Sequence, residues 1–170
     1  MPILILILLL FIPIGAILVL ATPVLLRGGP YVATSRPGVA KAIKLAAPKA
    51  GEIFLDLGSG DGRLLLAAAA HGARVIGYET NPWLGWQSRR LLRRAGYAKT
   101  SRVIWGNLWR ADLATTDVIC IFILPNLLID LEKKLNREVK KGTRIVTIGW
   151  PLPTWPVVKK IDTVFLYQKT

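Results

Sequence analysis

Short apolar runs alternate with amphipathic stretches along most of this chain, and that alternation predicts its architecture. The runs at 53–57 and 74–79 read as strands buried on both faces. A third strand is expected near 102–106, a fourth in Val118-Ile119-Cys120-Ile121-Phe122-Ile123-Leu124, a fifth at 144–148 and a last at 162–168. Helical patterns lie between them. Pro37 starts one that runs to about Ala47, where Pro48 stops it, and a glycine turn opens onto another that reaches about His71. Asn81-Pro82 is an N-cap followed by a first-turn proline, with Gly96 as the stop. At 126–140, Leu128, Leu131, Leu135 and Val139 share one face, which sheet packing alone explains. Residues 149–156 hold Pro151, Pro153 and Pro156 and read as a loop. Together these elements imply an α/β fold. Its sheet is mostly parallel, helices cover both faces, and ligands bind at the C-terminal ends of the strands.

The N-terminal pattern is different. Residues 3–26 contain no charged or amide side chain, and about 20 such residues, as helix, cross a bilayer core of about 30 Å. Pro13 and Pro23 are tolerated in spanning helices. The run has no basic n-region and no small-residue cleavage site, so a removable leader is disfavoured. A small domain also cannot cover a helix that is apolar all round. The expectation is a retained transmembrane anchor over 1–27, a juxtamembrane segment and pre-core helix over 28–50, and one α/β domain over 51–170. Arg27, Arg36, Lys41 and Lys44 follow the apolar run and no basic residue precedes it. That asymmetry predicts a single-pass membrane protein with its domain on the cytoplasmic side.

Charge matters beyond the anchor. The formal net charge of the chain is +13, all of it carried from Arg27 onward, and a protein so charged, held at a membrane, is drawn to the anionic headgroups of the lipid bilayer. Arg89, Arg90, Arg93 and Arg94 form the densest cluster. A solvated helix face and contact with a membrane surface both explain it, and nucleic-acid binding is the weaker reading. The lone Cys120 excludes an internal disulfide and a multi-cysteine zinc site, and no metal is expected. His71, before Gly72 at a helix end, is assigned no catalytic role.

The chemistry concentrates in Asp56-Leu57-Gly58-Ser59-Gly60-Asp61-Gly62-Arg63, at the end of the first strand. Glycines at alternate positions let the backbone approach a ligand with no Cβ in the way, and a carboxylate at a strand end binds a cationic group. A dinucleotide turn, G-x-G-x-x-G, sets its third glycine one position later. It also brings a pyrophosphate to the helix N-terminus, where Asp56 would repel it. S-adenosylmethionine, with its amino-acid ammonium, suits Asp56, and the pattern favours it over NAD. Glu79 ends the second strand about 20 residues beyond Gly58, a separation at which an acid binds ribose hydroxyls. A solvated strand-end carboxylate is the alternative. Asp61 reads first as the N-cap of the following helix.

Asp56-x-Gly58-x-Gly60-x-Gly62, followed by Gly77-Tyr78-Glu79-x-Asn81-Pro82-Trp83-Leu84, resembles the seven-strand, class I S-adenosylmethionine-dependent methyltransferases. The second run narrows the resemblance, together with Leu131-Glu132-Lys133-Lys134-Leu135, Pro151-Leu152-Pro153-x-Trp155-x-Pro156 and Ile161-Asp162-Thr163-Val164. The chain is thereby similar to the membrane-anchored protein-lysine methyltransferases that modify the ATP synthase proteolipid or the adenine nucleotide translocase, and to their prokaryotic relatives. The resemblance implies a Rossmann-like seven-strand sheet, with room for shortening at its C-terminal end. It implies cofactor contacts from Asp56, Gly58, Gly60 and Glu79, with Ser59, Gly62, Thr80 and Asn81 completing the two turns, and Asn107 and Leu108 beside the adenine. Relatives commonly carry Asp where Asn107 stands. Tyr31, Leu124 and Pro125 fall on the acceptor side. The implied partner is a lysine-containing, membrane-embedded protein. A lysine amine, with an ordinary pKa near 10.4, must lose its proton before it attacks a methyl group. Desolvation, a neighbouring sulfonium and acceptors such as the Leu124 carbonyl or the Tyr31 hydroxyl serve that end without a dedicated base. Trp83, Trp86 and Trp105 are candidates to line the site, with core packing or interfacial anchoring the blander readings for each. Two other functions stay open: a methyltransferase for a small molecule, lipid or RNA, and a non-catalytic cofactor-binding membrane module.

Overall fold

The computed structural model describes residues 32–170. The anchor expected over 1–27 and Tyr31 lie outside the described residues. Among the described residues no helix is long and apolar enough to cross a membrane.

Seven strands form one sheet: β1 (Ile53–Leu57), β2 (Arg74–Glu79), β3 (Ser101–Trp105), β4 (Val118–Ile121), β5 (Arg144–Ile148), β6 (Lys159–Ile161) and β7 (Val164–Gln168). Their spatial order is β3-β2-β1-β4-β5-β7-β6. The first five run parallel to their neighbours, whereas β7 is antiparallel to both β5 and β6. The order reverses between β1 and β4, so a crevice opens above their C-terminal ends.

The period-2 alternation of the strands sorts their side chains into two cores. Phe54, Val75, Val118, Cys120 and Val146 face one layer, with Leu64, Leu65, Ala68 and Leu92 from the helices above them. Leu55, Leu57, Ile119, Ile121 and Ile145 face the other, with Leu128, Leu131 and Leu135. The helices are α1 (Arg36–Ala46), α2 (Arg63–Ala69), α3 (Pro82–Arg94) and α4 (Leu128–Glu138). Ser35 caps α1 by accepting from the Gly38 N–H at 3.2 Å. Asn81 caps α3 through Oδ1, which accepts from Trp83 N at 2.9 Å and Leu84 N at 3.3 Å. Such a cap is worth about 1 kcal/mol and fixes where β2 ends and α3 begins.

Three boundaries differ from the sequence expectation, each for a local reason. Strand β4 ends at Ile121 rather than continuing to Leu124, because its neighbour β1 pairs only as far as Leu57 before turning away at Gly58. The chain from Phe122 onward is therefore free to form a wall of the crevice. Helix α4 begins at Leu128 instead of 126, after a 3-10 turn, Pro125–Leu127, whose preceding Leu124 is extended and supplies no side-chain cap. The final strand expected at 162–168 is a hairpin: Asp162 has φ +50° and sits in the turn between β6 and β7.

The proline-rich segment after β5 is a loop clasped to α4. Glu132 of α4 is buried and accepts from Thr154 N at 3.0 Å and from the Thr154 hydroxyl. The Trp155 indole donates to Asn136 Oδ1 at 3.0 Å, and Leu152 N donates to the Tyr167 hydroxyl at 2.9 Å. Two sequence blocks that look independent are thus one packed unit. It also carries the 144–148 strand into β6 without an intervening helix.

Candidate active site

The crevice is lined by the ends of four adjacent parallel strands: Asp56 to Asp61 from β1 and its turn, Tyr78 to Asn81 from β2, Gly106 to Leu108 after β3, and Phe122 and Ile123 after β4. Its open volume is about 970 Å³, counting the mouth and the adjoining solvent.

The glycine turn is folded onto the end of β2. Gly58 N and Ser59 N both donate to the Tyr78 carbonyl, at 3.1 and 2.9 Å. Gly60 N donates to Glu79 Oε2 at 2.8 Å, and Asn81 N donates to Glu79 Oε1 at 2.8 Å. Glu79 is thus clamped between two turns with one lone-pair direction on each oxygen still available to a ligand hydroxyl. Its clamped, buried state answers the alternative of a solvated strand-end carboxylate. Gly58 adopts φ +119° with no atom within 4 Å of where a Cβ would stand, so its missing side chain leaves open space at the crevice. Gly62 has another task. A Cβ there would lie 2.3 Å from Ser88 Oγ, so this glycine lets α2 approach α3, and it does not line the crevice.

Asp56 projects from β1 and is 5% exposed. It accepts no hydrogen bond from the described residues. Burial first, then the charges of Glu79 and Asp61, pushes its carboxyl up to about 7. A carboxylate held in this way gains most from a cation placed beside it. Ser59 lines the crevice, but its Oγ is buried beside Gly77 and has no partner among the described residues. An acid without a partner among the described residues and a clamped second acid fit a ligand with an ammonium at one end and a vicinal diol at the other. Among the described residues no group of His, Cys, Asp and Glu is arranged to hold a metal ion.

Asp61 is not the N-cap of α2. Gly62 takes that position with φ +87°, and the Asp61 carboxylate instead pairs with the Arg63 guanidinium at 2.6 Å and accepts from Arg63 N at 3.2 Å. Arg63 Nη1 also donates to the Thr34 carbonyl at 2.7 Å, which draws Val32, Ala33 and Thr34 over the crevice. Sequence reasoning does not reach this strap. The one signal for it is the basic residue immediately after the last glycine of the turn.

Thr80, Asn81, Asn107 and Leu108 all line the crevice. Asn107 Oδ1 accepts from Trp109 N at 3.1 Å, capping a 3-10 turn, so the amide has a structural task besides any ligand contact. Leu124 and Pro125 stand just beyond the lining formed by Phe122 and Ile123. The Leu124 carbonyl accepts from Leu127 N at 3.1 Å. Trp83, Trp86 and Trp105 do not line the crevice; all three are exposed on the outer surface. His71 is exposed, with Nδ1 3.0 Å from the Ala67 carbonyl.

Comparison with known proteins bears on this site. Residues 56–159 match the family model described as ANTKMT methyltransferase domain. Over 144 residues the chain is 38% identical to the adenine nucleotide translocase lysine N-methyltransferase of Mus musculus, covering 82% of this chain and 62% of that protein. It is 30% identical over 148 residues to a protein-lysine N-methyltransferase of Saccharolobus islandicus, covering 81% and 92% of the two chains. The crystal structure of an RNA methyltransferase from Salinibacter ruber in complex with S-adenosyl-L-homocysteine superposes with a TM-score of 0.75 at 30% identity, over 81% of this chain and 92% of that one. The chain spans about three fifths to two thirds of the length of the vertebrate relatives it matches.

Proposed function

Because the chain belongs to the ANTKMT methyltransferase domain family, we propose that it is an S-adenosylmethionine-dependent protein-lysine N-methyltransferase, anchored in a membrane and acting on a membrane protein. The observation that carries the cofactor assignment is the acid pair at the ends of β1 and β2. Asp56, buried and without a partner among the described residues, receives the ammonium of the cofactor's amino-acid portion. Glu79, fixed by Gly60 N and Asn81 N, receives the ribose hydroxyls. Asn107 and Leu108 flank the adenine, and Gly58, Ser59 and Gly60 form the floor. When bound, the cofactor supplies a methyl group on a cationic sulfur for transfer to a nucleophile. The lysine-methylating relatives support the acceptor class.

The residues near the transfer point are suited to an amine. Phe122, Ile123 and Leu108 give the crevice apolar walls. Apolar surroundings exclude water and disfavour the ammonium form of a lysine, so the neutral, nucleophilic amine becomes accessible at neutral pH. The Leu124 carbonyl, with one lone pair engaged by Leu127 N, has another to orient an amine N–H. The family resemblance assigns Tyr31 and Pro125 to the acceptor side as well. The anchor proposed over 1–27 raises the effective concentration of the enzyme near substrates in the same bilayer.

An RNA acceptor is the second reading, favoured by the Salinibacter ruber neighbour and by the net charge of +13. Transfer of label from S-adenosylmethionine to membranes of the source organism separates the readings. Label in a protein band that survives nuclease and lipid extraction supports the lysine enzyme. Label in nuclease-sensitive or lipid material removes it, and cofactor binding without any label leaves only a binding module.

A further inference from the structure

Helix α3 turns its outer face to solvent, and that face is not the polar stripe such a position usually carries. Leu84, Gly85, Ser88 and Leu92 are buried against the sheet. Trp83, Trp86, Arg90 and Arg93 follow at i, i+3, i+7 and i+10 on the opposite side. Trp83 is 60% exposed and Trp86 43%. Their rings stack at 4.9 Å, and the Arg90 guanidinium lies 5.2 Å from the centre of the Trp86 ring. Trp105, 69% exposed at the end of edge strand β3, donates from its indole to the carbonyl of Thr80, just before the helix. The helix contains no acidic residue. Arg89 turns inward to donate to the Val103 carbonyl, and neither Arg93 nor Arg94 takes part in an ion pair among the described residues.

Three exposed indoles beside uncompensated arginines are not explained by packing, since none of these side chains fills a core or the crevice. We propose that this face docks on an anionic lipid surface and so fixes the orientation of the methyltransferase domain on the bilayer. Indoles rest at the headgroup level, where an apolar ring meets water, and arginines beside them meet the phosphates. Charge complementarity favours a lipid surface, because a chain of +13 net charge, all of it carried from Arg27 onward, is drawn to an anionic leaflet. The position of the apolar run favours it as well. Residues 3–26 carry no charge, and only a short stretch separates Leu26 from Val32, which already lines the crevice. With the anchor proposed above, a domain tethered so closely meets the bilayer with one of its faces, and the tryptophan-arginine face is the one whose chemistry matches. The inference concerns a surface outside the crevice and does not depend on which acceptor is methylated.

The test uses the full chain reconstituted in vesicles of phosphatidylcholine, with or without phosphatidylglycerol, in which the acyl chains carry bromine near the headgroup. All tryptophans of the chain lie at or after Trp83, so the N-terminal run contributes no indole signal. Bromine is expected to quench a large part of the fluorescence in the anionic vesicles. Trp83→Phe with Trp86→Phe removes most of that quenching. Each of Arg90→Gln and Arg93→Gln lowers the docked-to-undocked ratio about fivefold, as does raised salt. Circular dichroism and cofactor binding in detergent remain unchanged in these variants. Quenching that persists in the Trp83→Phe/Trp86→Phe protein, or that ignores phosphatidylglycerol, overturns the proposal. So does RNA that perturbs the same two indoles when the vesicles do not.

Discussion

Replacing Asp56 by Asn makes the ligand-free protein more stable at neutral and alkaline pH, although the same change disables the site. The carboxyl sits at the end of β1 with 5% of its surface exposed and is raised by burial, and by Glu79 and Asp61, to about 7 from 3.8. An acid whose pKa is raised by folding keeps its proton in the native state where the unfolded chain has already released it. The protein is therefore favoured below about pH 4 and loses that advantage progressively as pH rises to about 7. Each pH unit between the two values is worth about 1.36 kcal/mol, so the ionised, unpaired Asp56 costs the folded state about 4 kcal/mol above pH 7. An amide carries no such penalty. Urea or thermal unfolding in detergent across pH 4 to 8 reads the effect. Wild type and Asp56→Asn converge near pH 4 and separate by up to about 4 kcal/mol at pH 8. At about 2–4 °C per kcal/mol for a chain of this size, that difference is about 10 °C in Tm. Saturating S-adenosylmethionine closes the gap for the wild type alone, because a cation beside Asp56 restores its ionised form at lower pH. Parallel stability–pH curves for the two proteins, or an Asn variant less stable at pH 8, would refute the reasoning.

Further outcomes follow from the same geometry. Cofactor affinity of the wild type strengthens as pH rises from 6 and levels off above about 7, where Asp56 is ionised; isothermal titration at several pH values reads it, and a flat profile contradicts the ammonium contact. Glu79→Ala leaves Gly60 N and Asn81 N without their acceptor, so it weakens the cofactor and costs the fold about 1–3 kcal/mol for each orphaned donor, measurable by urea titration without ligand. Gly62→Ala sets a Cβ 2.3 Å from Ser88 Oγ at φ +87°; it destabilises by about 1–3 kcal/mol, and a larger loss of cofactor affinity than of stability would mean that Gly62 is a ligand residue after all. Glu132→Ala releases the proline-rich loop from α4, so protease cuts near 149–156 faster than in the wild type, while the cofactor still binds.

The strands and the first three helices are legible in the sequence because their periodicity and their end signals agree. Pro37, Asn81-Pro82 and the alternate glycines each mark a backbone break, and the structure breaks at or within a residue of each. The pair Asp56 and Glu79 is legible for the same reason, since strand ends and turns carry the ligand groups of such a sheet. What escapes depends on partners distant in sequence. The length of β4 is set by where β1 stops pairing, which no local pattern in 118–124 encodes. The β6–β7 hairpin is hidden because β6 is three residues long and exposed, with Lys159 and Lys160 in place of an apolar alternation. The strap from Arg63 to Thr34 and the clasp from Glu132 to Thr154 join segments far apart along the chain, so their donors and acceptors read separately as ordinary solvated side chains. The tryptophans fall outside the wall for a related reason. The helix that the Asn81 cap starts turns Trp83 and Trp86 outward and leaves Leu84 facing in.

The measurement that tests the central claim most directly is mass spectrometry of membrane proteins from the source organism after incubation with S-adenosylmethionine and the full chain, wild type beside Asp56→Asn. The Asn variant is a control that stays folded at pH 8, so lost activity there reports the site and not the fold. The account predicts methyl-lysine in a membrane protein with the wild type and none with Asp56→Asn. Wild-type protein that binds the cofactor yet leaves every lysine unmodified, or an Asp56→Asn protein that methylates as well as the wild type, would contradict it.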